Sequence, residues 1–406
     1  MKRFGLLALS ILLLGSSRLT AGGEIFGKVT TTAGRTYRGP IRWDRNEVSW
    51  QNALDAQKEK KVRSPSRHHD LPPIGREIAE LIRVGSWTHS RFSIPFGHLR
   101  AIEPLGSGRA LLRLKNGEEF KVRESGSDLG DEMRGIEIRD GKAGSVKLKW
   151  DQVDRVEFEP DPRSGGDADM LYGTVETRRG EYTGFIVWDR DEALRSDLLD
   201  GDAGGDRRSI PFREIREIRR RSSRSCDVVL TRGETVTLSG TNDVNSENRG
   251  IEIAVAGLGT VEVGWGQLKR VLFAEAPAAP RYESFSGGQP IQGTVVTLGG
   301  ESHRGDIVWD DDEERSWETL DGEEDGVEYS IPFENIRSIQ KVSERSAEVT
   351  LFGGEVLVLE GSNDVSWENK GIHVTERGRK ITVGWDDFDR IELGRPGPAP
   401  GRRSDR

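Results

Sequence analysis

The 406-residue sequence has one cysteine, Cys226, so it forms no internal disulfide, and there is no cysteine near residue 21 to carry a lipid. Export to an oxidising compartment suits a chain that makes no disulfides. Apolar runs are also short. The only extended one, Phe4 to Gly15, follows Lys2 and Arg3 and ends before the small-residue site Leu19-Thr20-Ala21. That stretch is too short to span a bilayer as a retained anchor with those flanks, and it predicts a secretory signal peptide over residues 1–21. Excess basic charge is missing as well: the net charge is -9 and becomes about -12 once Lys2, Arg3 and Arg18 leave with the signal. Phosphate binding needs a basic field that such a surface opposes, so nucleic acid is not an expected partner, and the run "REIREIRRRSSRS" at 213–225 reads as a solvated strand edge.

The chain has 50 glycines, 16 prolines and 32% charged residues, which indicates short elements divided by many turns. It also repeats. "GKVTTTAGRTYRGPIRWD" from Gly27, "GTVETRRGEYTGFIVWD" from Gly173 and "GTVVTLGGESHRGDIVWD" from Gly293 are versions of one segment. Each is followed by Ser-Ile-Pro-Phe, at Ser93, Ser209 and Ser330, and then by "GSDLGDEMRGIEI", "GTNDVNSENRGIEI" or "GSNDVSWENKGIHV". The period, about 120 residues, is that of a tandem array of large units rather than a short solenoid.

Within each copy one apolar spacing occurs twice, at offsets 0, 2, 5 and 8. The six instances begin at Ile94, Leu148, Ile210, Val263, Ile331 and Val383; the fifth, for example, is Ile331, Phe333, Ile336 and Ile339. Offsets 0 and 2 put two side chains on one strand face, and two steps of three carry the chain through a turn of 3₁₀ helix and back to that face. The spacing therefore predicts strand, tight turn, strand. Upstream, "AEVTLFGGEVLVLEG" from Ala347 and "GIHVTERGRKITVGW" from Gly371 read as hairpins turning at Gly353-Gly354 and at Glu376 to Gly378.

Two hairpins and a closing strand preceded by a tight turn resemble the small barrels of Src-homology-3-like and Sm-like type. The instances lie roughly 50 to 70 residues apart, the length one such barrel needs. The expected fold is all-β: three tandem repeats, each of two five-stranded Src-homology-3-like modules. They occupy 22–158, with an inserted segment at about 56–90, then 171–275 and 291–393. Residues 159–170 and 276–290 are linkers that few contacts should cross, and 394–406 is a disordered tail. The one expected helix lies in the insertion, where Ile74, Ile78, Leu81 and Ile82 share a face. A module of about 55 residues is marginal alone, which is the reason to expect pairing.

The recurring polar residues lie in two loops. After each second strand come Trp43, Asp44, Asn46, Glu47 and Asp55; Trp188, Asp189, Asp191, Glu192 and Asp200; and Trp309, Asp310, Asp312, Glu313 and Asp321. Carboxylates so spaced are candidate calcium ligands, but the glycine that an EF-hand loop needs at its sixth position is replaced by Ser49, Leu194 and Arg315. The other reading is that the Asp after each Trp caps a turn and the remaining acids solvate an edge. The second loop, with Asn242, Asp243, Glu247 and Asn248, departs to Ser127, Asp128, Asp131, Glu132 and Met133 in the first copy, which favours turn chemistry over a ligand set.

Histidines do not recur: none of His68, His69, His89, His98, His303 and His373 has a counterpart in all three copies. His68-His69-Asp70 with His89 lacks the spacing of a rigid zinc site. No serine sits in a nucleophile elbow, and Cys226 opens a strand-like "CDVVL". Six tryptophans recur on strand faces as core. Trp50, Trp87, Trp317 and Trp367 do not recur and are candidates for a binding surface.

The expected function is a secreted, non-enzymatic scaffold or multivalent binding protein of the cell envelope, periplasmic or extracellular, needing no cofactor and engaging a protein or an envelope polymer. The rivals are a calcium-dependent adhesion module and a periplasmic carboxylate-based hydrolase. Exported protein is expected to begin near Gly22, and an intact mass that retains Met1 would overturn the assignment of the leader.

Overall fold

The computed structural model describes residues 23–59, 91–106, 108–162 and 169–395. The expected leader, the insertion helix, Trp87, His68, His69, His89 and the tail beyond 395 lie outside the described residues. What is described is all-β: thirty antiparallel strands in two sheets, of ten and twenty strands, with short 3₁₀ turns and no α-helix.

The first sheet contains β1 (Phe26–Thr31), β2 (Thr36–Trp43), β3 (Ala53–Lys58), β4 (Arg91–Pro95), β5 (Leu99–Gly106), β6 (Arg109–Leu114), β7 (Glu119–Glu124), β8 (Ile136–Asp140), β9 (Gly144–Leu148) and β10 (Val153–Phe158). The second begins with β11 (Tyr172–Thr177), β12 (Glu181–Trp188), β13 (Leu198–Ala203), β14 (Asp206–Pro211), β15 (Ile215–Arg220), β16 (Ser225–Leu230), β17 (Thr235–Ser239), β18 (Ile251–Val255), β19 (Gly259–Val263) and β20 (Leu268–Phe273). It continues through β21 (Gln292–Thr297), β22 (Ser302–Val308), β23 (Thr319–Glu324), β24 (Val327–Pro332), β25 (Ile336–Ser343), β26 (Ser346–Leu351), β27 (Val356–Glu360), β28 (Ile372–Glu376), β29 (Arg379–Val383) and β30 (Phe388–Leu393).

Local sequence explains most of these elements. In β27, Leu357 and Leu359 face the core while Val356, Val358 and Glu360 face out, the period of a half-buried strand. The hairpins read from "AEVTLFGGEVLVLEG" and "GIHVTERGRKITVGW" form as β26–β27 and β28–β29. All six instances of the 0, 2, 5, 8 spacing fold as strand, tight turn, strand. Four pass through a 3₁₀ turn, at Phe96, Trp150, Phe212 and Phe333, and two through the turns at 264–267 and 384–387.

The connectivity departs from contiguous modules. In the first sheet the order is β4-β3-β7-β6-β5-β10-β1-β2-β8-β9, so β3–β4 pairs with β7 and β8–β9 with β2. The two halves have exchanged hairpins. Equivalent pairings join β13 to β17 and β12 to β18, then β23 to β27 and β22 to β28. The reason lies at the end of β2, where the Asp44 amide donates to the Gly135 carbonyl (3.1 Å) and ties the strand to the start of β8. Close crossing of β2 and β8 also explains a recurring glycine, since a Cβ on Gly39, Gly184 or Gly305 would fall 2.1, 2.2 or 2.1 Å from a carbonyl oxygen of the neighbouring strand.

The segment 276–290 is not a free linker. Tyr282 lies in the core of the first sheet, its ring 4.5 Å from that of Trp50 and its hydroxyl donating to the Leu99 carbonyl at 2.8 Å. Trp317 enters the same core, and β19 pairs with β24 through Thr260↔Ser330 to Val263↔Val327. Buried aromatic surface and a strand ladder therefore cross the boundaries where few contacts were expected. Replacing Tyr282 with Ala is expected to cost about 3 to 5 kcal/mol in urea denaturation of the full chain, the range for deleting a buried large aromatic; a loss below about 1 kcal/mol would show that the segment merely rests on the first sheet.

Candidate functional site

A tryptophan ends β2 and β12 and immediately follows β22, and each is succeeded by a tight reversal. Asp44 and Arg45, Asp189 and Arg190, and Asp310 and Asp311 have φ between 40° and 77°. Asp tolerates this left-handed region better than most residues, which explains an Asp after each Trp. The reversal is closed by Trp43 N to the Glu47 carbonyl (2.8 Å), Trp188 N to the Glu192 carbonyl (2.7 Å) and Trp309 N to the Glu313 carbonyl (2.8 Å).

The Asp carboxylates hold the second loop. Asp44 accepts from the Arg134 amide at 2.5 Å and from Ser127 Oγ at 2.7 Å; Asp189 accepts from the Arg249 amide at 2.6 Å and from Asn242 Nδ2; Asp310 accepts from the Lys370 amide at 2.5 Å and from Asn363 Nδ2. The indoles answer from the other side: Trp43, Trp188 and Trp309 Nε1 donate to the carbonyls of Asp128, Asp243 and Asp364 at 2.9, 3.0 and 3.1 Å. The side chains of those three aspartates in turn accept from the amides of Asp55, Asp200 and Asp321 at 2.6, 2.7 and 2.7 Å. The two recurring loops are thus one object. Sequence reasoning treated them separately, although the Trp-to-Asp separation is 55 residues in the second and third copies and 85 in the first, longer by the insertion.

Beside this brace stands a glutamate. Burial pushes the Glu192 carboxyl up to about 9, with Asp243 the largest charge contribution, and burial beside Asp128 and Asp364 holds Glu47 and Glu313 well above the usual carboxylate range. Glu47 Oε2, Glu192 Oε2 and Glu313 Oε2 are buried and accept no hydrogen bond. A protonated carboxyl suits such a place, since it needs no counter-charge and can donate to a neighbouring carboxylate. Burial likewise raises Asp128 to about 8, Asp243 to about 6 and, on β18, Glu252 to about 7.

Of the other candidate carboxylates, Asp191 accepts from Arg134 Nη1 (2.8 Å) and Asp200 from Ser209 Oγ (2.5 Å), whereas at Asp312 it is the backbone carbonyl that accepts from Lys58 Nζ (3.1 Å), and its Oδ1 is buried without a hydrogen bond among the described residues. Among the described residues no three His, Cys, Asp or Glu side chains gather as a metal site. A cleft of about 470 Å³ between the first sheet and the 191–200 segment is lined by Arg42, Arg45, Lys147, Asp191, Asp197 and Asp200, and its charges meet in pairs such as Arg42–Asp197 at 2.8 Å.

The tryptophan candidates divide. Trp50 and Trp317 are 0% and 1% exposed and belong to the core of the first sheet, so they are not a binding surface; Tyr282 and His98 cover them, from segments too remote in sequence to anticipate. Trp367 is 57% exposed. His98 accepts from the Gly287 amide, and burial, aided by Lys115, holds its pKa down to about 3; Cys226 is buried and its thiol is pushed up to about 12. No protein-family model matches the chain, and no similar protein is found among curated proteins or solved structures.

A folded carboxyl whose pKa lies above its unfolded value holds its proton more tightly in the folded state. Its contribution is full below about pH 4.5 and is lost as pH rises through the folded values of about 6 to 9. Urea denaturation is expected to show stability falling from pH 5 to pH 9, each group contributing only up to its own folded value. Glu192→Gln should flatten that fall and raise stability at pH 9, and stability that climbs over the interval would contradict the assignment.

Proposed function

We propose that the chain is a secreted, non-enzymatic scaffold or multivalent binding protein of the cell envelope, built as three tandem repeats of paired Src-homology-3-like small barrels. The repeat reading is supported by the pairing scheme of the first ten strands, which has counterparts in β11–β20 and in β21–β30. The barrel reading is supported by five-strand sets such as β14-β13-β17-β16-β15, whose outermost strands are joined directly by the tight turn at Phe212.

One observation carries the functional reading. Glu47, Glu192 and Glu313, whose carboxyls burial holds above the usual range, occupy three equivalent places, each beside its own pair of joined loops, whereas an enzyme concentrates such groups in a single cleft. A repeated structural unit without a repeated reactive set favours several weak contacts whose avidity adds. Co-sedimentation of the full chain with a washed envelope fraction tests this in one experiment. Saturable binding that survives chelator is expected. Binding abolished by chelator would move the function to a calcium-dependent adhesin, soluble fragments released with time would move it to a carboxylate-based hydrolase, and no binding at all would overturn the envelope reading.

A further inference from the structure

β19 and β29 are equivalent strands with different fates. Each is the outer strand of a hairpin, Val263 opposite Ile251 and Val383 opposite Ile372. The far edge of β19 is covered by β24, in the register Thr260↔Ser330, Val261↔Tyr329, Glu262↔Glu328 and Val263↔Val327. The far edge of β29 pairs with no described strand. The effect shows in the side chains: Val261 is fully buried beneath the added strand, whereas Ile381, in the same position, is half-buried.

The chemistry of the uncovered edge has also changed. Gly259, Thr260 and Glu262 of β19 become Arg379, Lys380 and Thr382 in β29, all three exposed, and Arg377 stands at the hairpin tip. The third copy also exposes apolar residues at positions where the second does not. The Trp367 amide donates to the Glu344 carbonyl at 2.7 Å, as the Ser246 amide donates to that of Ser223, which makes Ser246 the counterpart of Trp367. Trp367 and the nearby Val342 are each 57% exposed, where the second copy has Ser246 and Arg221. An open ladder edge with a basic rim is a surface of the kind used for strand addition.

We propose that β29 takes up an extended, acidic segment of a partner polypeptide by strand addition. The register of β19 with β24 sets what the segment must offer: an apolar residue opposite Val383, an aromatic one opposite Ile381, and a carboxylate opposite Lys380 in place of Ser330. Backbone hydrogen bonds supply the affinity, and the basic rim selects charge. This deepens the binding reading given above and rests on it for the idea of a partner, but it needs no envelope material to be tested. Failure with the peptide would leave the co-sedimentation result standing, and the reverse also holds.

The probes are two fluorescein-labelled peptides, GVEYSIP, which copies β24, and GVEYEIP, which places a carboxylate opposite Lys380. Titrated against the full chain at low ionic strength, GVEYEIP is expected to bind saturably and at least several-fold more tightly than GVEYSIP. Lys380→Glu should weaken GVEYEIP about tenfold, a loss that added salt reproduces. Thermal melts of each variant establish that it folds. No saturable binding by folded wild-type chain overturns the proposal, as does binding indifferent to Lys380→Glu. Concentration-dependent dimerisation abolished by Lys380→Glu would assign the edge to a second copy and overturn the acidic partner.

Discussion

The structure depends on one interaction made three times: the aspartate after each of Trp43, Trp188 and Trp309 receives the amide of a residue 60 or 90 positions away. That bond fixes a left-handed reversal and holds the second loop where the indole can donate to it, bringing β8, β18 and β28 beside β2, β12 and β22. The ladders β2–β8, β12–β18 and β22–β28 lie next to these bonds and bury the strands they join.

The same brace imposes an electrostatic cost. Gathering Asp44, Glu47 and Asp128 behind a tryptophan removes three carboxyls from water, and the structure offsets this unequally. Asp44 is met by the amide and guanidinium of Arg134 and by Ser127 Oγ, whereas Glu47 has Asn46 and its own amide and otherwise faces further acids. Neutralisation by a proton is the least costly state for a carboxyl in that position. Because the arrangement recurs around Asp189 and Asp310, its pH response is spread through the fold rather than confined to a site.

Distant stretches of the chain are joined by unlike means. Strand pairing connects β19 to β24, while Tyr282 and Trp317 insert into the core of the first sheet, and Lys58 and Arg42 pair with Glu318 and Asp197. Aromatic burial and ion pairs here do what a continuous ladder does there. One consequence is that corresponding edges are not equally available, since β19 is covered and β29 is not.

The sequence by itself determined the class of the fold, because alternation, glycine turns and the 0, 2, 5, 8 spacing are local properties that backbone geometry turns directly into strands and tight turns. For the aspartate after each tryptophan it offered two readings, calcium ligand or turn cap, and the carboxylate's bond to an amide 60 or 90 residues away was in neither. Tertiary structure alone decided which hairpin pairs with which strand, since both pairings satisfy the same local pattern and only contacts between residues far apart in sequence, such as the Arg134 amide on Asp44, distinguish them. It likewise decided the fates of Trp50, Trp317 and Trp367: all three lie in polar loops, and whether such an indole is core or surface depends on whether a distant segment, here the one bearing Tyr282 and Gly287, folds back to cover it.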